Sequence, residues 1–286
     1  MTLVIIGVDG QVGTDLHKLL PQAVGLTIND LNVVDVPQAR ALLMKLMPSI
    51  VINTAAYHQV DDCEDNREKA FQVNAQGAQN IAKICQELKA ELVHFSTDYV
   101  FSGEKGAPYT EADLPNPQSV YGHSKLAGEK LIQSTLREHY LVRTCGLFGS
   151  VGSLGKGGTN FVEGMIKRAK SGQPIRVVND EIVGPTYSRD LAAKILQIIK
   201  LKSFGLYHIT NSGQCSWYEF AIKIFEYLGL NVDVVPVSAA EFKAKAKRPK
   251  YSVLAHDHLK RLGIDDMRPW QEALRAYLIE KGHLTV

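Results

Sequence analysis

The first thirteen residues constrain this chain more than any other stretch. Leu3-Val-Ile-Ile6 is a continuous apolar run stopped by Gly7, the pattern of a strand buried on both faces of a parallel sheet. Gly7-Val-Asp-Gly10-Gln-Val-Gly13 follows directly, and Val12, Leu16, Leu19 and Leu20 then recur at helical spacing. Glycines at a strand-to-helix turn let the backbone close tightly and approach a pyrophosphate, while the helix N-terminus faces the negative charge. The spacing is G-x-x-G-x-x-G, not the commoner G-x-G-x-x-G. It is therefore the position after a first buried strand, more than the glycines themselves, that points to a dinucleotide.

Strand and helix patterns then alternate. Residues 23–28, 49–53, 91–95 and 140–144 read as strands, and residues 37–47, 68–88 and about 121–138 as helices. Such alternation with buried apolar strands predicts an α/β protein built on a doubly wound parallel sheet. Past Gly149 the pattern loosens. Gly152-Ser-Leu-Gly155-Lys-Gly-Gly158-Thr is glycine-rich and reads as a lid or domain crossing. Ile175-Arg-Val-Val178 and residues 206–210 read as strands, Ser216-Trp-Tyr-Glu219 as a capping box, and residues 269–281 as the last helix. The expected division is a dinucleotide-binding domain over 1–149 and a smaller α/β substrate-binding lobe over 150–286, with 185–200 a segment that packs back onto the first.

Composition excludes several classes. A net charge of +2 gives no electrostatic case for nucleic acid or an anionic membrane surface. No stretch approaches the ~20 apolar residues of a membrane span. Cys63, Cys85, Cys145 and Cys215 form no metal-binding or C-x-x-C pattern and read as reduced thiols, which predicts a cytoplasmic protein.

Tyr121 and Lys125 lie four residues apart, one helical turn, so both side chains share a face. A nearby ammonium favours a phenolate and is expected to draw the phenol pKa down toward the working range. Thr97 closes the fourth strand, and in open α/β sheets ligands bind outside that end. A threonine hydroxyl there can hold a carbonyl oxygen in front of the phenol. The plain alternatives are a surface helix with an ordinary Tyr and Lys, and a Thr that satisfies a backbone group. Asp35, ahead of Asp30, is the expected ribose-binding acid and also an N-cap for the next helix. No Lys or Arg lies between Gln22 and Gln38, which tilts the cofactor toward NADH over NADPH.

Gly10-Gln-Val-Gly13, Ala55-Ala56-Tyr-His-Gln-Val60-Asp61, Val73-Asn74-Ala75, Ser96-Thr-Asp-Tyr-Val-Phe101, Tyr121-Gly-His-Ser-Lys-Leu-Ala-Gly-Glu129, Arg143-Thr144, Asn160-Phe161, Gly184-Pro-Thr186 and Arg248-Pro249 occur in order along most of the chain. Together they resemble the dTDP-4-dehydrorhamnose reductase family of the extended short-chain dehydrogenases/reductases. The resemblance implies a Rossmann-type fold and reduction of the C4 keto group of a nucleotide-linked sugar by NADPH or NADH. It assigns catalysis to Thr97, Tyr121 and Lys125, with Lys125 also on the nicotinamide ribose. Gly7, Gly10, Gln11, Val12 and Gly13 would cradle the pyrophosphate, and Ala55, Ala56 and Asn74 would line the cofactor. Val60, Thr97, Asp98, Tyr99, Asn160 and Arg248 fall to the substrate. A homodimer is a candidate assembly, and the resemblance offers Asp15 with Asp180-Glu181 as metal-linked contributors to it.

Three departures fall on the substrate side. Cys145 follows the Arg-Thr pair where relatives place a tryptophan nearby. Asp180-Glu-Ile-Val-Gly-Pro-Thr186 lacks the usual glutamine, and His58 stands where a threonine is common. They leave other nucleotide-sugar reductases or epimerases as alternatives, and also a non-catalytic NAD(P)-binding subunit similar to the methionine adenosyltransferase regulatory subunit. The 4,6-dehydratases are disfavoured, because Thr97 is followed by Asp98-Tyr99 and not Asp-Glu.

Overall fold

A computed structural model of the chain describes residues 2–152 and 157–285. The expected crossing at 152–159 therefore lies partly outside the described residues. The first half runs β1 (Leu3–Ile6), α1 (Gln11–Leu19), β2 (Val24–Leu26), α2 (Val36–Leu46), β3 (Ile50–Asn53), α3 (Val60–Asp65), α4 (Arg67–Phe71), α5 (Ala78–Leu88), β4 (Glu91–Thr97), α6 (Val120–Thr135) and β5 (His139–Thr144). The second runs β6 (Leu147–Phe148), α7 (Phe161–Ala169), β7 (Ile175–Val178), β8 (Ile182–Val183), β9 (Thr186–Tyr187), α8 (Ser188–Leu201), β10 (Gly205–His208), β11 (Cys215–Ser216), α9 (Trp217–Leu228), β12 (Val234–Val237), α10 (Asp257–Arg261) and α11 (Trp270–Glu280).

Six strands form one parallel sheet in the order β10-β5-β4-β3-β1-β2. Apolar runs such as Ile50-Val-Ile and Tyr140-Leu-Val are buried on both faces because helices cover both. Leu43 of α2, Ile81 and Cys85 of α5 and Ile132 of α6 pack with Val4, Val51 and Leu92 on one face. Val12 and Leu16 of α1 and Leu191, Ile195 and Ile198 of α8 pack with Ile5, Ile52 and Val93 on the other. Strand order reverses between β1 and β3, which opens a crevice at the carboxyl ends of the strands.

The chain crosses the expected boundary at 149/150 more than once. β10 is the sixth strand of the main sheet, α8 covers it, and Leu259 of α10 joins the same core. The return of α8 is the one expected for 185–200; β10 and α10 lie outside that segment, and their apolar spacing alone does not assign them to either core. The lobe has its own aromatic core, including Phe148, Tyr187, Phe220, Trp270 and Tyr277, with β7 parallel to β12 and β8 antiparallel to β11. Ser216 and Glu219 form the expected capping box of α9.

The expected single helix over 68–88 is interrupted. Residues Gln72–Gly77 wind as a π-helix between α4 and α5, a rare local geometry that recurs at functional sites. Asn74 lies in it, fully buried.

Candidate active site

The glycine turn after β1 is built for close approach. Gly7 has φ of 79° and donates its N–H to Leu26 O at 2.7 Å, which fixes the turn against β2. A Cβ on Gly13 would lie 2.1 Å from Gly7 O, so α1 begins pressed onto the turn. Thr54, the first residue past β3, ties the same turn down by donating Oγ1 to Ile6 O and Gly7 O. Helix α1 is N-capped by Gly10 with no side-chain cap, so its first N–H groups stay available to an anion. Gln11 Oε1 beside them is buried without a hydrogen-bond partner. A tight cradle, an uncapped helix start and an unsatisfied polar atom together fit a dinucleotide pyrophosphate.

At the end of β2 the geometry differs from expectation. The strand stops at Leu26, and Asp30 folds back to accept from Thr27 N and Oγ1. Asp35 is five residues farther on and exposed, and its carboxylate accepts from Gln38 N at 3.0 Å as the N-cap of α2. The capping half of the Asp35 reading is what the structure places, and Asp30 lies nearer the strand end.

Asn74 is tied to the loop after β3. Its amide accepts from Tyr57 N at 2.8 Å and donates to Tyr57 O and Ser124 Oγ at 2.9 Å. All its polar capacity toward that loop is used, so it holds Ala55, Ala56 and Tyr57 against α6 and leaves no amide edge free to line a ligand. A Cβ on Gly128 would lie 2.2 Å from Asn74 O, so α6 and the π-segment touch backbone to backbone.

Thr97, Tyr121 and Lys125 are brought together at the carboxyl end of β4. Ser119 N-caps α6, which starts Tyr121 and Lys125 one turn apart. Thr97 is buried, its Oγ1 donates to Asp98 Oδ1 at 3.0 Å and accepts from Tyr99 N at 3.2 Å, and it lies beside the Tyr121 phenol. Tyr99 meets Tyr121 edge-on at 5.7 Å between ring centroids. Asp98 also accepts from Cys145 Sγ at 3.0 Å and from Ser252, and burial pushes its carboxyl above the usual carboxylate range. Thus Cys145, where relatives carry a tryptophan nearby, supplies a donor to the carboxylate behind Thr97.

The surroundings of Lys125 and Tyr121 reverse the expected electrostatics. Burial pushes the Tyr121 phenol up, not down, and the Thr97 hydroxyl opposes this only in part. Burial brings Lys125 down to about 8, and its Nζ lies 3.2 Å from His94 Nε2, a partner the sequence reading did not name. Helical spacing fixes which face a lysine shares, but not where its long flexible stem delivers the charge.

On the substrate side, Val60 opens α3, and the next residue, Asp61, is paired with Arg248 Nη2 at 2.9 Å. Asp65 and Lys245 form a second link, so residues 245–248 are strapped across α3. Arg248 also acts electrostatically on Tyr99, which places it at the Tyr99 end of the site. A cavity of about 260 Å³ lies beside it, lined by Glu181, Lys243, Lys247 and Arg248 among others. Asn160 is not brought to this group. It N-caps α7, and its Nδ2 donates to Gly149 O and Tyr277 OH, so its amide is occupied within the lobe. His58 Nδ1 contacts Ala56 O at 3.3 Å.

Asp15 and the Asp180-Glu181 pair have separate partners within the chain. Asp15 is bonded to Ser188 and Ser150 and paired with Lys18, whereas Asp180 accepts from Ala239 N and Glu181 faces Arg248. Among the described residues no group of His, Cys, Asp or Glu is arranged to hold a metal ion. No helix among them is long and apolar enough to cross a membrane.

A reversal-point crevice floored by a glycine turn, with Thr97, Tyr121 and Lys125 on its rim, defines a Rossmann-type protein of the short-chain dehydrogenase/reductase class. Comparison with known proteins narrows it. The chain belongs to the family whose model is described as RmlD substrate binding domain, which matches residues 1–282. It is 41% identical to the spore coat polysaccharide biosynthesis protein SpsK of Bacillus subtilis (strain 168), over 99% of each chain. A solved dTDP-4-dehydrorhamnose reductase from Clostridium acetobutylicum superposes with a TM-score of 0.94 at 39% identity, covering 98% of this chain and 99% of that one. The dTDP-4-dehydrorhamnose reductase of Bacillus anthracis, solved in complex with NADP, superposes with a TM-score of 0.93 at 38% identity, covering 98% and 100%.

Proposed function

We propose that the protein reduces the C4 keto group of a nucleotide-linked 6-deoxy sugar with NADPH or NADH. The first candidate is dTDP-4-dehydro-L-rhamnose, giving dTDP-L-rhamnose. The observation that carries the reading is Thr97 at the carboxyl end of β4 beside the Tyr121 phenol of α6, with Lys125 one turn along the same helix. The relatives' activity and the NADP bound by the Bacillus anthracis enzyme support it.

Gly7, Gly10, Gln11, Val12 and Gly13 hold the pyrophosphate of the dinucleotide, Ala55 and Ala56 flank it, and Asp30 or Asp35 meets the adenosine ribose. The bound cofactor supplies hydride to the sugar carbonyl carbon. Thr97 Oγ1, which donates to Asp98 Oδ1 in the structure, turns its hydrogen to the sugar carbonyl oxygen and so orients it. Tyr121 then delivers its proton to that oxygen. Burial keeps the phenol protonated, the state a reduction needs from its acid. Lys125, as an ammonium on the nicotinamide ribose, stabilises the phenolate left behind. Asp98 accepts from Cys145 and, until a carbonyl oxygen is present, from Thr97. Tyr99, Val60 and Arg248 line the sugar-nucleotide side.

A cytoplasmic setting belongs to the same reading, supported by four free, buried thiols. A homodimer is part of it too and is read by sedimentation. The test is NAD(P)H oxidation over a panel of dTDP-, UDP- and GDP-linked 4-keto sugars. Turnover of a dTDP-linked 4-keto sugar supports the proposal. Cofactor binding without turnover of any sugar overturns it and favours a binding subunit.

A further inference from the structure

β4 carries a histidine that the proposed reaction leaves without a task. His94 is 1% exposed and pairs in the parallel ladder with Asn53 of β3, itself 1% exposed. The two side chains meet, Asn53 Nδ2 lying 3.3 Å from His94 Nδ1. On its other edge, His94 Nε2 lies 3.2 Å from Lys125 Nζ. A buried chain thus runs from β3 through β4 to the lysine of α6.

The direction of this chain follows from its far end. Ala55 N donates to Asn53 Oδ1 at 3.1 Å, and a backbone N–H must meet the amide oxygen. The Asn53 NH₂ therefore faces His94 Nδ1, which must offer a lone pair. Burial and the neighbouring Lys125 hold His94 neutral, far below its ordinary pKa. A neutral imidazole with an unprotonated Nδ1 carries its hydrogen on Nε2. That N–H points at Lys125 Nζ. The contact is a hydrogen bond only when Nζ offers a lone pair, because an ammonium has three donors and no acceptor.

Few other charged groups act on Lys125. Glu129 on the same helix favours the charged form, but its carboxylate accepts from Arg143 Nε at 2.8 Å and Nη2 at 2.6 Å, which spends most of its field. Arg143 on β5 is turned to that carboxylate, and Tyr121 on α6 is protonated.

We propose that His94 is the positioning residue of the catalytic lysine: donating from Nε2, it holds Lys125 Nζ against β4 as a neutral amine and yields it as an ammonium when the dinucleotide presents its ribose hydroxyls. This rests on the reading of Lys125 as a ribose ligand. Its consequence is that cofactor binding takes up a proton from solvent at a pH near the lysine's own pKa, about 8.

Isothermal titration of NADPH into the full chain, without sugar, in buffers of different ionisation enthalpy counts that proton. For the wild type the expected result is a substantial fraction of one proton taken up at about pH 8, fading by about pH 6.5, where Lys125 is already charged. His94→Leu removes the donor, and the pH range of uptake moves up by about one unit, the size of one net hydrogen bond. His94→Gln places an amide N–H in the position of Nε2–H and restores the wild-type range. Thermal melting of both variants separates loss of fold from loss of the donor. If the wild type binds NADPH with no proton uptake at about pH 8, or His94→Leu takes up protons over the wild-type range, the inference is wrong. Absence of sugar turnover with proton uptake intact would instead overturn the reductase reading alone. Absence of NADPH binding would overturn both.

Discussion

Gly128→Ala should damage catalysis by moving a helix, without touching substrate or cofactor. Tyr121, Lys125 and Gly128 fall at i, i+4 and i+7 of α6, one stripe of the same face. At the last of these, an added Cβ would lie 2.2 Å from the backbone oxygen of Asn74. A carbonyl in a helix cannot rotate aside as a side chain would, so α6 and the π-segment must part by about 1 Å to restore ordinary contact. Alanine gains ~1 kcal/mol of helix propensity over glycine. Overpacking against backbone costs about 1–3 kcal/mol and outweighs that gain. A displacement near 1 Å at catalytic groups costs on the order of 10²-fold in rate. Steady-state NAD(P)H oxidation should therefore show kcat/KM down by about that factor, with a melting temperature lower by only a few degrees. If Gly128→Ala stays within about twofold of wild type in kcat/KM, then this backbone contact does not register Tyr121 and Lys125, and the reasoning fails.

Other outcomes follow from the same geometry. Asn74→Ala removes three hydrogen bonds at 2.8–2.9 Å, leaves Tyr57 N–H unsatisfied and leaves Tyr57 C=O only the weak Cys63 Sγ donor, so chemical denaturation should show a loss of about 2–4 kcal/mol. All four thiols are buried and burial raises each, Cys63 to about 11 and Cys85 to about 12. Iodoacetamide at about pH 8 should therefore label none in the folded protein and all four in denaturant. Arg248 holds the Asp61 carboxyl below its usual range, so the strap over α3 is fully stabilising above about pH 4 and weakens as pH falls through the depressed pKa. Asp61→Asn should reduce the acid dependence of proteolytic cleavage at residues 243–250, with the Asp65–Lys245 link still in place. In the wild type, by contrast, cleavage should rise on acidification.

Some of this was readable from sequence, and the rest was hidden for physical reasons. Leu3–Ile6 and Ile50–Asn53 announce buried parallel strands because both faces need apolar residues. The turn from Gly7 to Gly13 and the pair Tyr121–Lys125 are legible because backbone approach and helical spacing constrain residue type directly. The return of α8 to the main sheet matches the segment 185–200, but that of β10 is not legible, since an apolar strand reads the same in either core. Nor is the π-segment at Gln72–Gly77, where Val73, Asn74 and Gly77 are weak helix formers but nothing in their spacing marks an i→i+5 turn. His94 in an apolar strand looks like a satisfied core histidine, and only the fold shows that its partner is Lys125. Asn160 and Asn74 were found as important positions, but their amides turn out to hold backbone and lobe together.

The central claim is that the buried Tyr121 phenol is the proton donor to a sugar carbonyl. Tyr121→Phe tests it most directly, because it removes one oxygen and keeps the ring that packs against Tyr99. With a dTDP-linked 4-keto sugar, kcat should fall by on the order of 10²–10⁴-fold, while fluorescence titration gives a nearly unchanged Kd for NADPH. A variant that keeps most of its kcat would contradict the account, since the proton would then come from another group.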